Sequence, residues 1–366
     1  MKALKYLSIG IIFQLFIIPD LYAQKFNGWK TDLSKHSINL NELRSGGPPK
    51  DGIPSIDNPR FTDPDNADSW MDSDEPVIAF EYNGNARAYP LQILIWHEIV
   101  NDKIGDTPVL ITFCPLCYSA IVFDRRIDGE THEFGVSGFL RHSDMIMFDR
   151  KTESLWQQFT GEAIVGEYTG KQLEIFPSQI ISYQQFKNAH PDGKVLSKDT
   201  GVDRPYGKNP YTGYDDINNT PFLTGEIDDD RLQPLEKVIG VQVEGQRKAY
   251  PYSVTKSEQI INDNIAGNPI VVFHVDGARS ALDASEISES RKDGSTGAFY
   301  RDVNGDILTF AIQSNSIKDE ETSSTWSITG KAISGPMEGQ KLAPVTSGDY
   351  FAFAWLVFWP ETSIYK

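Results

Sequence analysis

The segment PVIAFEYNGNARAYP, residues 76–90, returns as KVIGVQVEGQRKAYP, residues 237–251. In each copy apolar and polar residues alternate over two short runs, joined at Asn83-Gly84 or Glu244-Gly245 and closed by Ala-Tyr-Pro. Alternation on both sides of a two-residue connection containing glycine is the pattern of a β-hairpin. The self-match continues outward. Ile99-Val100-Asn101-Asp102 matches Ile260-Ile261-Asn262-Asp263, and the run from Pro108 matches the run from Pro269. Trp156 matches Trp326, and Gly161, Gly166, Gly170 and Leu173 match Gly330, Gly335, Gly339 and Leu342. A self-match this long implies two similar domains in tandem. The expected class is mainly β (α+β), with two repeated β-rich domains and a few short helices. Pro90 and Ser182 mark helix starts at Leu91–Trp96 and Tyr183–Ala189.

These signals divide the chain. Residues 1–23 read as a signal peptide: Lys2 and Lys5, an apolar run from Leu7 to Ile18, then the small-residue end Leu21-Tyr22-Ala23. Residues 24–75 read as an irregular arm ending in an acidic run taken for a solvated linker, and 76–194 as the first repeat domain. Residues 195–234 are a connector, rich in Gly, Pro, Asn and Asp. Its segment Arg204 to Asp215 carries three tyrosines that can line a pocket. Residues 235–366 are the second, degenerate repeat domain. The chain is expected to be periplasmic or secreted. No later stretch is apolar for long enough to span a bilayer. The formal charge is −17; residues 1–23 carry a net +1, which leaves −18 on the remainder. Such a surface repels nucleic acid and anionic lipid, and leaves a small molecule as the expected partner. Oligomeric state is not legible.

Chemistry is read from where the repeat fails. The only two cysteines, Cys114 and Cys117, stand in PVLITFCPLCYSAIVFDR, residues 108–125. The second copy has Val275-Asp276-Gly277-Ala278 there, and Glu258 where the first has His97. A Cys-x-x-Cys turn between two strands aims both sulfurs at one point, which suits a metal ion. The run Tyr118 to Phe123 is β-branched and aromatic, so no helix N-terminus follows to activate a thiol. Three readings stay open: a metal site, a thiol–disulfide exchange pair, and an inert pair in a binding module. For the metal, zinc or copper, the expected ligands are Cys114, Cys117 and His97. His132, His142, His190 and the carboxylates Glu98 and Asp144 are further candidate ligands, and Glu98 is also a candidate proton-transfer group. Arg141 and Asp144 are candidate catalytic residues from the loop Gly135 to Asp144, which the second copy lacks in this form, Arg141 as a clamp for an anionic group and Asp144 as a residue that can complete the metal shell. Gln157 and Gln158 give way to Ser327 and Ile328, a weak signal of a polar role in the first copy only.

Four motifs carry a resemblance: Trp-His-Glu-Ile-Val-Asn-Asp (96–102), Cys-Pro-Leu-Cys (114–117), Gly-Val-Ser-Gly (135–138) and Asp-Arg-x-Thr-Glu-Ser (149–154). Through them the chain resembles a bacterial family of exported proteins catalogued only as a domain of unknown function. The resemblance covers nearly all of the chain after residue 23 and brings no activity, cofactor or catalytic residue with it.

Overall fold

The computed structural model describes residues 25–225 and 228–366. The signal-peptide reading of residues 1–23 lies outside them. The fold is mainly β, with several antiparallel sheets and short helices. Both quoted segments are hairpins: Pro76–Tyr82 pairs with Asn85–Pro90, and Lys237–Val243 with Gln246–Pro251. Each runs directly into a seven-residue helix, Leu91–His97 or Tyr252–Glu258, and then into a second hairpin. Those second hairpins are Ile99–Ile104 with Thr107–Cys114, and Ile260–Ile265 with Asn268–Val275. Several of these strands are buried on both faces, Val77 to Phe80 in succession and Pro108 to Cys114 throughout, so alternation marks the hairpins mainly toward their exposed ends.

Three sheets recur in the two regions, and the earlier region has an additional strand in each. In the first, Gln179–Ser182, the leading hairpin and Lys194–Leu196 match Thr346–Phe351, its hairpin and Ser363–Ile364; Phe61–Thr62 is added to the earlier sheet. In the second, Ile175–Phe176 is added beside Ser119–Asp124. In the third, Arg44–Ser45 is added beside Phe134–Arg141. Two of the three extra strands come from the arm. The arm also buries Phe26, Leu40, Leu43 and Ile56. The acidic run is not merely a solvated linker. It contains the short helix Pro64–Ala67 and buries Ala67, Met71 and Glu75.

Each half has one core cluster of its own, and two further clusters span both. One cluster joins Leu94, Phe113 and Trp156 to Leu235, Phe351 and Trp355; a second joins Ile181 and Phe186 to Phe273 and Trp326. The last long strand of each half leans on the other half. Gln179–Ser182 lies beside Ser295–Tyr300, and Thr346–Phe351 lies beside Ser119–Asp124. The Phe351 amide donates to the Cys117 carbonyl at 2.9 Å. Among the described residues no helix is long and apolar enough to cross a membrane.

Candidate functional site

Thr107–Cys114 and Ser119–Asp124 pair in register, Cys114 opposite Ser119, so residues 115–118 must reverse the chain in one turn. Tyr118 takes a left-handed φ of 53° to do it, and its amide donates to the Pro115 carbonyl at 3.2 Å. Both thiols are free and almost wholly buried. The turn is held from three sides. Gln158 donates to Thr112 Oγ1 at 2.8 Å and accepts from Ser119 Oγ at 2.7 Å, tying together the strands on either side. The ammonium of Lys237, from the other half, sits 3.5 Å from the centroid of the Tyr118 ring. The third hold is the Phe351 amide.

The long hairpin Phe134–Arg141 and Asp144–Asp149 arches over this turn. Its register shifts between Val136 and Leu140, a bulge that bends the strand. At Gly138 the φ is +79° and a Cβ would lie 2.1 Å from the Pro48 carbonyl, so no other residue fits there. The second half has only Phe310–Gln313 and Ser316–Asp319 at this place, a shorter hairpin without the bulge. The added length brings Asp144 over the sulfurs. One ligand atom each from Cys114, Cys117 and Asp144 lie within 4.8 Å of one another. Asp144 Oδ2 accepts from Gln157 Nε2 at 2.5 Å and from the Phe159 amide at 2.9 Å. Asp144 Oδ1 is buried with no hydrogen-bond partner. A buried carboxylate oxygen without a partner costs about 1–3 kcal/mol or more, and the Cys117 thiol, a weak donor beside this carboxyl, offsets only part of that.

The electrostatics agree. Burial pushes the Asp144 carboxyl up to about 7. It drives the Cys117 thiol well above its usual range and raises Cys114 as well. Burial thus favours the protonated form of each group, and a cation held by the two sulfurs and the carboxylate would displace those protons.

His97, expected as the third ligand, does not join the sulfurs. Its helix ends at that residue, and both ring nitrogens are engaged, one by the Pro54 carbonyl at 2.7 Å and the other by the Tyr206 hydroxyl at 2.6 Å. It fastens the arm and the connector to the domain. Disappearance from the second copy reads as a mark of chemistry, yet the partners of His97 lie in the arm and the connector, and Glu258 at its place accepts from the Tyr365 hydroxyl at 3.1 Å instead. Arg141 also does not touch the thiols. It donates to Glu42 at 2.7 Å and to Gln157 Oε1 at 3.3 Å, and Gln157 in turn grips Asp144. It is a positioning residue. Glu98 is brought close. Its carbonyl accepts from the Phe113 amide at 2.8 Å, and its carboxyl is buried and pushed up to about 8 by burial and by the Asp144 charge. Its left-handed φ of 58° recurs at Gln259, φ 61°, so that conformation belongs to the helix-to-strand turn and not to the chemistry.

The strongest residue that sequence reasoning undervalued is Gln157, and its replacement by Ser327 was the signal. Asp149, which opens the Asp-Arg-x-Thr-Glu-Ser motif, has the same bond in both halves. It accepts from the Trp156 indole at 3.2 Å as Asp319 does from Trp326 at 2.9 Å.

A family model described as "Protein of unknown function (DUF3179)" matches residues 50–362. No curated protein and no solved structure matches the chain.

Proposed function

This chain belongs to the DUF3179 family of unknown function, and from that premise we propose that it is an extracytoplasmic metal-binding protein acting as a metalloenzyme. The metal, zinc or copper, would be held by Cys114, Cys117 and Asp144. The observation that carries this reading is the unpartnered Oδ1 of Asp144, buried beside two free buried thiols. The carboxylate among the ligands favours zinc over copper. A bound ion of this kind supplies Lewis acidity toward a ligand that enters beside it. Three protein ligands leave room for such a ligand, as in catalytic rather than closed structural sites. Arg141 and Gln157 hold Asp144 in place, and Glu98, raised by its surroundings, is placed to take or return a proton beside the centre. Export is inferred from residues 1–23, and the tandem organisation from the recurring networks of the two halves.

Thiol–disulfide exchange is the weaker reading, because burial raises both thiols and a strand follows the pair. Elemental analysis of natively purified protein tests the proposal. About one equivalent of metal is expected, lost in Cys114→Ser and in Asp144→Asn. Metal at background level in the unaltered protein overturns it.

A further inference from the structure

Outside the sulfur turn lies a cavity of about 340 Å³. We infer that it takes a small, uncharged, largely apolar molecule of one or two rings that presents one hydrogen-bond donor to Glu98. This rests on the metal-centre reading only for its chemistry, since the cavity can be tested on metal-free protein.

Four segments that are distant in sequence build the walls. The arm contributes Ile53, the sulfur turn and the long hairpin contribute Leu116, Val136 and Met145, and the connector contributes Tyr211 and Phe222. The volume is at the small end of ligand sites, and apolar lining with few convergent polar groups is their usual make-up. Glu98 is the one charged residue in the lining. It is 7% exposed, and its carboxyl has no hydrogen bond to any described group. No lysine or arginine lines the cavity, so a carboxylate or phosphate entering would meet Glu98 without a counter-charge. The Tyr211 hydroxyl lies near enough for the Glu98 charge to bear on it. The Tyr214 hydroxyl is spent on the Leu116 carbonyl at 3.1 Å. A donor on an otherwise apolar ligand satisfies Glu98, and apolar rings fill the rest.

The second half shows that this lining is not a by-product of the fold. At the same place it has a wider cleft of about 780 Å³ whose edge carries Asp276, Asn315, Ser316 and Ser327, with Gln259 where Glu98 stands. No connector covers it with tyrosines.

The test is calorimetric titration of the metal-free full chain with indole, with benzothiophene, which has the same shape but no N–H, and with indole-3-carboxylate. Indole is expected to bind about tenfold or more tighter than benzothiophene, and the carboxylate weakest. Glu98→Asn, a residue that tolerates the left-handed backbone, should erase the preference while benzothiophene still binds. Leu116→Trp should block both, with Val136→Phe as a second filling variant; circular dichroism reports whether each is folded. Indole binding that persists in Cys114→Ser supports the cavity whatever becomes of the metal. Failure of both neutral probes on unaltered protein, or equal binding unmoved by Glu98→Asn, overturns the inference. In that case a full equivalent of metal would leave the metal reading standing.

Discussion

The region 76–189 and the region 237–358 are built alike down to single hydrogen bonds, and apart from the added edge strands they part around the sulfurs, where the turn 115–118 stands against the long segment between Val275 and Ser295. Asn101 clasps both the amide and the carbonyl of Phe134, at 2.9 and 2.8 Å; Asn262 does the same to Phe310 at the same two distances. Tyr89 donates to Asp102 at 2.6 Å and Tyr250 to Asp263 at 2.7 Å. Arg125 reaches the carbonyl of His132, and Arg301 that of Leu308, both at 2.8 Å. Against this background, Cys114, Gln157 and Glu98 become Val275, Ser327 and Gln259, Cys117 falls where the other region runs through residues 276–294, and Asp144 falls at the tip of the shorter hairpin. Networks that recur hold the fold. Groups that occur in one region, converge, and leave a buried oxygen unpaired serve something else.

The largest test of that contrast is Cys114→Ser, which should take metal content from about one equivalent to background, whereas Ala278→Ser in the other region should leave it unchanged; mass spectrometry of the metal reads both. Next come the two tryptophans. Trp156→Ala and Trp326→Ala should each cost about 3–5 kcal/mol in chemical denaturation, because both rings are buried and both indoles are bonded to an aspartate. A large inequality would break the likeness.

Third is a pH slope. Burial pushes Glu75 up to about 7, while Gln92 donates to it. Its folded value lies above its unfolded one, so its stabilisation is complete below about 4.3 and is lost as pH rises toward about 7. Glu75→Gln should flatten up to about 3 kcal/mol of stability loss across that window. Glu236, its half-exposed counterpart, bonds to Ser253 at 2.5 Å, and Glu236→Gln should leave the slope intact. The smallest effect is expected at Gln157→Leu, which frees Asp144 from its donor and should weaken metal binding about 10- to 100-fold. Ser327→Ala should do nothing.

Much of the scaffold was legible because hairpins announce themselves locally. Asn83-Gly84 and Glu244-Gly245 lie between alternating runs, and Ser182 caps its helix with Gln185 in a reciprocal box. The site was half legible. The two cysteines lie on one turn and could be read directly. Asp144 was read as a catalytic candidate, and only the bulge beside Gly138 carries it over the sulfurs. His97 misled because a residue absent from a second copy can serve packing, here against Pro54 and Tyr206, which lie 43 positions before it and 109 after it. Contacts over such separations leave no periodic trace in a sequence. The arm was read from its composition alone, and composition does not reveal which few apolar residues, such as Leu43, it buries.

The bond from Phe351 to Cys117 has a bearing on timing. A chain emerging from its N-terminus makes both thiols long before it makes the amide that secures their turn, and Lys237 is also late. Until Thr346–Phe351 docks, the turn lacks one of its three holds. Removing that strand should therefore loosen the turn although both cysteines remain.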